Sequence, residues 1–208
     1  MLTVYKDDVI YIPKKIRDYE SQQKVRIIVS DVNLRPHLKY YHTMLEYPNS
    51  PIITIDDDQK YPAELFMQLY HKWQQHKNCV IANRCHLITY QDGRPLKYSQ
   101  WEKEYKKITY PSDRLFATGV GGVLYPPGIF SKNDFNIDEM QKYITTDDIY
   151  LKMLEMRKNI YTVCLDRYLL PSYISSRSAT SERLCDQNTS GAEINDKNIA
   201  LGGLDISG

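Results

Sequence analysis

An apolar run that stops at three consecutive carboxylates constrains this chain more than any other stretch. Residues 51–62 read PIITIDDDQKYP: Ile52, Ile53 and Ile55 form a short hydrophobic run, Asp56, Asp57 and Asp58 end it, and Pro62 opens a segment of helical periodicity. The physical reading is a buried strand whose carboxyl end carries hard oxygen donors, with a helix leaving just after it. Side chains alternate along an extended backbone, so Asp56 and Asp58 are expected on one face and Asp57 on the other. Two carboxylates so placed suit Mg²⁺ or Mn²⁺, ions that prefer oxygen ligands and keep positions open for phosphate oxygens.

The segments around this stretch alternate. Leu2–Tyr5 reads as a short strand or its remnant, Pro13–Ser21 as a polar helix or turn, and Lys24–Ser30 as a strand. Arg35–Tyr47 carries Leu38, Tyr41 and Leu45 at helical spacing, with Pro36 tolerated in a first turn. The helix from Pro62 to about His76 has Leu65, Phe66, Leu69 and Trp73 as one core-facing stripe. This β-α-β-α order predicts an α/β domain with a mostly parallel sheet flanked by helices. Beyond Cys79 the pattern changes. Val80–Asn83 reads as a strand, His86–Tyr90 and Pro95–Tyr98 as an antiparallel hairpin around Asp92-Gly93, and Tyr161–Leu165 as a further strand. Residues 1–170 are thus expected to form one domain. Residues 171–208, rich in Ser, Asn, Asp and Gly, read as a polar tail or lid.

Composition narrows the classes. A chain of 208 residues with 42% hydrophobic and 25% charged residues is long enough for one sizeable core. A net charge of +1 leaves no basic surplus to argue for nucleic acid. Cys79, Cys85, Cys164 and Cys185 show no metal-type spacing, so reduced thiols and a cytoplasmic setting are the plain expectation. No run approaches the length of a membrane span, so any membrane association is expected to be peripheral. The 18 tyrosines read mainly as core filler, with sugar-stacking platforms as the other use of such rings.

Two further stretches carry chemistry. Phe116–Gly128, FATGVGGVLYPPG, sets Gly119, Gly121 and Gly122 inside an apolar run, which marks either close approach of a ligand to the backbone or a bulge without one. Thr145-Thr146-Asp147-Asp148 precedes a helix over Ile149–Lys158. Thr145 with Asp148 fits a capping box, and acids in a first turn favour the helix dipole, so this pair has a purely structural reading beside a catalytic one.

Taken together, IITIDDDQKYP at 52–62, NRCH at 83–86, TGVGGVLYPPG at 118–128 and TTDDIYLKM at 145–153 resemble the GT-A nucleotide-sugar glycosyltransferases. The likeness is to small inverting family-2 enzymes of bacterial capsule and surface-polysaccharide clusters. It covers about Val25 to Val163, with a weaker echo at 194–200. The resemblance implies a GT-A-like sheet and a nucleotide-sugar donor, with a glycan or lipid-linked acceptor and a Mn²⁺ or Mg²⁺ cofactor. It assigns Asp56 and Asp58 to the metal and donor, with Asp57 between them in support. Asp148 becomes the base for the acceptor hydroxyl, with Asp147 as alternate. Arg84, His86, Gly119, Gly121 and Gly122 fall on the donor side, although for His86 a satisfied structural histidine is an equal reading.

Members of that family begin with an additional strand and helix that hold the nucleoside base, and nothing in Met1–Lys24 resembles them. The expectation is therefore an N-terminally truncated sheet with an exposed apolar face that favours self-association. A second reading follows, a non-catalytic or weakly active remnant that binds a partner or a sugar. A third, phosphoryl or nucleotidyl transfer, also uses paired carboxylates, but no phosphate-cradling glycine loop of the P-loop or kinase type is present.

Overall fold

A computed structural model of the chain describes residues 1–173, 192–202 and 204. Its central feature is a four-stranded sheet built from β3 (Ile52–Thr54), β5 (Val80–Ala82), β10 (Val123–Tyr125) and β11 (Thr162–Cys164), in the order β11-β5-β10-β3. The sheet is mixed rather than mostly parallel. β11 runs parallel to β5, but β10 lies antiparallel to both β5 and β3. The reason is topological. The crossover from β3 through α3 (Glu64–Gln75) to β5 leaves a one-strand gap, and the apolar run after the glycines returns in the opposite direction to fill it.

Alternation along these strands divides the core in two. Val80, Ala82, Val123, Tyr125 and Cys164 point into one cluster, and Ile81, Leu124 and Val163 into the other. Both faces are therefore covered, and the strands read as continuous apolar runs. α3 closes the second face with Leu65, Leu69 and Trp73; Phe66, expected in that stripe, is 41% exposed. α5 (Asp147–Arg157) closes the first. It is buried along nearly its whole length, including Lys152 and Glu155, whose charges meet at 3.1 Å while Thr162 Oγ1 donates to Glu155 at 2.9 Å.

Smaller sheets surround this core. β1 (Leu2–Tyr5) pairs in parallel with β2 (Ile27–Ser30), linked through α1 (Lys14–Ser21), a small β-α-β unit of its own. Among the described residues β1 pairs only with β2 and β3 only with β10, so a strand and a helix do stand within Met1–Lys24, as a parallel pair apart from the four-stranded sheet. Gln59–Lys60 (β4) pairs with Ser172–Tyr173 (β12). The hairpin around Asp92-Gly93 is only two residues deep, Tyr90–Gln91 (β7) against Arg94–Pro95 (β8), with φ of 50° and 78° at the turn. His86 is not part of it: Cys85–Leu87 (β6) pairs with Leu115–Ala117 (β9) instead.

Arg35–Tyr47 divides into a 3-10 turn over Arg35–Lys39 and α2 (Tyr41–Glu46), and a short α4 spans Ile137–Lys142. The expected tail is in its described part a helix, α6 (Ala192–Gly202), with Asn195, Asn198 and Ile199 buried and Leu204 buried just beyond it. The rest of residues 174–208, Cys185 included, lies outside the described residues. Cys79, Cys85 and Cys164 are free thiols. Among the described residues no helix is long and apolar enough to cross a membrane.

Candidate functional site

β3 delivers its acids differently from the extended-chain expectation. Asp57 and Asp58 lie in a turn between β3 and β4, so strict alternation does not apply, yet Asp57 is exposed while Asp56 and Asp58 are half-buried. Asp58 Oδ1 accepts the Gln59 amide at 3.3 Å. Tyr61 fixes the segment from behind. Its hydroxyl accepts the Asp56 N–H at 2.9 Å and donates to the Val120 carbonyl at 3.1 Å, joining the acidic turn to the glycine stretch.

That stretch leaves β9 through a 3-10 turn, Gly119–Gly121, and enters β10 at Gly122. Gly122 has φ +86°, a backbone region that side-chain-bearing residues rarely adopt. At Gly119 the need is space: a Cβ there would stand 2.5 Å from Lys39 Nζ and 2.9 Å from Asp148 Oδ1. Gly121 sits against Arg84. The glycines thus admit neighbouring side chains of the protein itself to the turn.

The second acidic segment arrives from α5. The helix is capped at Thr146 rather than at Thr145, so its first turn starts one residue later than the Thr145–Asp148 capping box would place it. Asp148 turns its carboxylate to Gly119 instead, where its two oxygens accept the amide at 3.1 and 3.0 Å. Asp147 points to Lys39, 2.8 Å from Nζ, and the same ammonium lies 3.2 Å from Asp56 Oδ1. Acids about 90 residues apart in the chain therefore meet at one lysine.

Electrostatics separate the two acids. Burial works against the charge on Asp147, but Lys39, with His37, holds its pKa below the ordinary carboxylate value. Burial and the adjacent charge of Asp147 push Asp148 up to about 7. Burial alone would lower the Lys39 pKa, yet Asp147, Asp56 and Asp148 raise it well above the usual lysine value.

The other expected residues lie beside this centre. Arg84 accepts the Thr118 N–H on its carbonyl at 3.1 Å, and its Nε donates to Glu104 at 3.2 Å. His86 is buried against Phe116, and its Nδ1 accepts the Glu104 N–H at 3.1 Å. Burial, with the charges of Arg84 and Lys103, drops its pKa to about 3, so it is neutral.

Three residues that the motifs did not single out complete the site. Lys39 and Tyr61 carry no signal beyond their neighbours, although Tyr61 lies inside the stretch at 51–62. Buried Asn83, the first residue of NRCH, donates to the carbonyls of Gly121 and Leu169, each at 2.8 Å, and ties the glycine turn to the chain after β11. α6 buttresses the far side: Asn198 donates to Thr146 Oγ1 at 2.7 Å, and Asp196 accepts the Tyr98 N–H at 2.8 Å.

For a metal, the oxygens on offer are those of Asp56 and Asp58. Among the described residues no three His, Cys, Asp or Glu side chains are gathered as a preformed cage. Mg²⁺ and Mn²⁺ do not require one, because one or two carboxylates with water and substrate phosphates suffice. Compared with protein-family models and with curated proteins, the chain matches none.

Proposed function

We propose that this protein is a GT-A-like, family-2-type glycosyltransferase that moves a sugar from a nucleoside diphosphate sugar to an acceptor hydroxyl, with inversion, in polysaccharide synthesis. The observation that carries this reading is the meeting of Asp56 and Asp147 on Lys39, with Asp148 beside them on Gly119. A donor and an acceptor brought together need these two acidic groups within one cleft.

Asp56 and Asp58 would hold a divalent cation and the donor, with exposed Asp57 supporting them. When bound, such an ion supplies Lewis-acid neutralisation of the departing diphosphate. Asp148 is the base. The attacking hydroxyl must lose a proton, and a carboxylate with a pKa near 7 takes one more readily than an ordinary aspartate while still being about half ionised at neutral pH. Asp147 is committed to Lys39 and serves to orient rather than to accept the proton. The Gly119 amide holds the Asp148 carboxylate in place. Arg84, whose backbone packs against Gly121, would serve on the donor side.

The test is turnover and calorimetric binding with a panel of UDP- and GDP-sugars plus Mn²⁺. Transfer or donor hydrolysis that disappears in Asp148→Asn and Asp58→Ala is the expected result. No turnover and no binding for any donor overturns the reading.

A second reading, a non-catalytic protein that binds a partner or sugar, draws on one observation: β1–β2 is not hydrogen-bonded to the four-stranded sheet and β3 is an edge. It differs in outcome, because Asp58→Ala and Asp148→Ala would then leave sugar binding intact.

A further inference from the structure

We propose that Cys85 and Cys164 form an oxidation site: a small hydroperoxide is reduced at the Cys164 sulfur, held beside Lys106 Nζ, and Cys85 then closes a disulfide that joins β6 to β11. Its chemistry is separate from the acidic centre at Lys39 and does not depend on sugar transfer.

The fold gathers the three groups from distant parts of the chain. Cys85 opens β6, Cys164 ends β11, and Lys106 lies in the loop before β9. Because β5 and β11 run parallel with Cys164 opposite Ala82, the chain leaving β5 passes the end of β11. The two sulfurs are in hydrogen-bond contact with each other. Lys106 Nζ lies 3.4 Å from Cys164 Sγ and donates to the carbonyls of Asn83, at 3.1 Å, and Leu165, at 3.3 Å. Of the three hydrogens of the ammonium, two are held by carbonyls, which aims the third at sulfur.

These contacts favour a thiolate at Cys164. As a thiol it has the Asn83 carbonyl as its oxygen acceptor, at a long 3.8 Å, and Lys106 already occupies that carbonyl. As a thiolate it accepts from both the Cys85 S–H and the ammonium. The hydrogen bond from Cys85, with Lys106, accordingly lowers the Cys164 pKa to about 7 against the effect of burial. Burial and the neighbouring Cys164 push Cys85 well above the ordinary thiol value. One sulfur is thus ready to attack while the other keeps its proton for the second step. Both thiols are buried, so a small oxidant is the class that fits, and Lys106 is the one of the three side chains partly open to solvent.

The Cys164 thiolate attacks one peroxide oxygen, the O–O bond breaks, and the departing hydroxide takes a proton from solvent to become water. The Cys85 sulfur attacks the resulting sulfenic acid, the S–O bond breaks, and the hydroxyl leaves with the Cys85 proton as a second water. Two thiols give up two electrons and the peroxide takes them. The product ties the segment at 83–86 covalently to β11, next to Asn83, which holds the carbonyls of Gly121 and Leu169.

The experiment is non-reducing peptide mapping by mass spectrometry of the folded full chain after equimolar hydrogen peroxide, for wild type, Cys85→Ala and Lys106→Met, with folding checked by circular dichroism. Expected in wild type is a peptide pair linked through Cys85 and Cys164 that dithiothreitol separates. In Cys85→Ala, Cys164 should stop at the sulfenic acid and be captured by dimedone. In Lys106→Met the link should form about tenfold more slowly, as the thiolate fraction falls. The wild-type map carries the test even where Lys106→Met does not fold. Both thiols left free in folded wild type, while the same peroxide oxidises them in urea, overturns the proposal, and so does linkage of either one to Cys79 or Cys185. An unchanged rate in folded Lys106→Met overturns it as well, because Cys164 would then owe nothing to the lysine.

Discussion

Asp148 accepts the backbone amide of Gly119 with both carboxylate oxygens, at 3.1 and 3.0 Å, across 29 residues of chain. This one contact ties the start of α5 to the glycine turn. It also gives the glycine a definite job. Gly119→Ala forces a methyl into the space of Lys39 Nζ and Asp148 Oδ1. We expect the variant to fold, with transfer reduced by about 100-fold, the cost of an ångström-scale misplacement. Steady-state kinetics beside a thermal melt would check it; unchanged kcat/KM would contradict the role given to Gly119.

The pH dependence has a definite sign. As the proposed base, Asp148 must be ionised to take a proton, so kcat/KM is expected to rise with pH through about 7 and level above it. Asp148→Asn should abolish that limb and lower turnover by about 10²- to 10⁴-fold. Stability moves the other way. A carboxyl whose folded pKa is raised holds its proton more tightly when folded, so its contribution is full below the ordinary carboxylate pKa of about 4 and is lost as pH rises through about 7. Melting curves of wild type and Asp148→Asn from pH 4 to 8 should therefore diverge, the variant gaining relative stability toward the alkaline end.

Tyr61→Phe removes only a hydroxyl, but that hydroxyl joins Asp56 N–H to the Val120 carbonyl. About 1–3 kcal/mol of stability should be lost from the two groups left without a partner. Because both belong to the proposed donor side, donor KM should rise several-fold with acceptor KM unmoved. Equal changes in the two constants would show that Tyr61 serves the fold at large.

Within the sheet, Leu124 is fully buried between Ile81 and Ile53 of the neighbouring strands, on the α3 side. Leu124→Ala should cost about 2–5 kcal/mol through lost contact and residual cavity. Denaturant unfolding measures this, and activity per folded molecule should remain near wild type.

Lys152→Met tests the other face. It strands Glu155 as a buried charge with Thr162 as its remaining partner, and breaking a buried pair in this way costs about 3–5 kcal/mol. Lys152→Met/Glu155→Leu, which removes both charges, should recover much of the loss. A double variant as unstable as the single would mean that packing of the lysine stem, rather than charge, is what α5 requires there.

Local chemistry settled a good deal in advance. The Ile52–Thr54 strand, α3, the glycine run between two strands and a helix opening on Asp147-Asp148 all follow from periodicity, apolar runs and breakers, which act over a few residues. Even the two acidic segments are legible, because carboxylates at the end of an apolar run are local features. What the chain does between segments is not. β10 enters the sheet antiparallel because a gap between β3 and β5 has to be filled, and no pattern inside Val123–Tyr125 encodes its neighbours. Phe66 sits among apolar residues at helical spacing yet faces outward, and the helix is capped at Thr146 while the Asp148 carboxylate meets the Gly119 amide. Lys39 is the clearest instance. Along the chain it is one lysine among many; it becomes the centre of the site only where folding sets it between Asp56 and Asp147, since a charge contact depends on separation in space, and that is fixed by packing of the whole sheet.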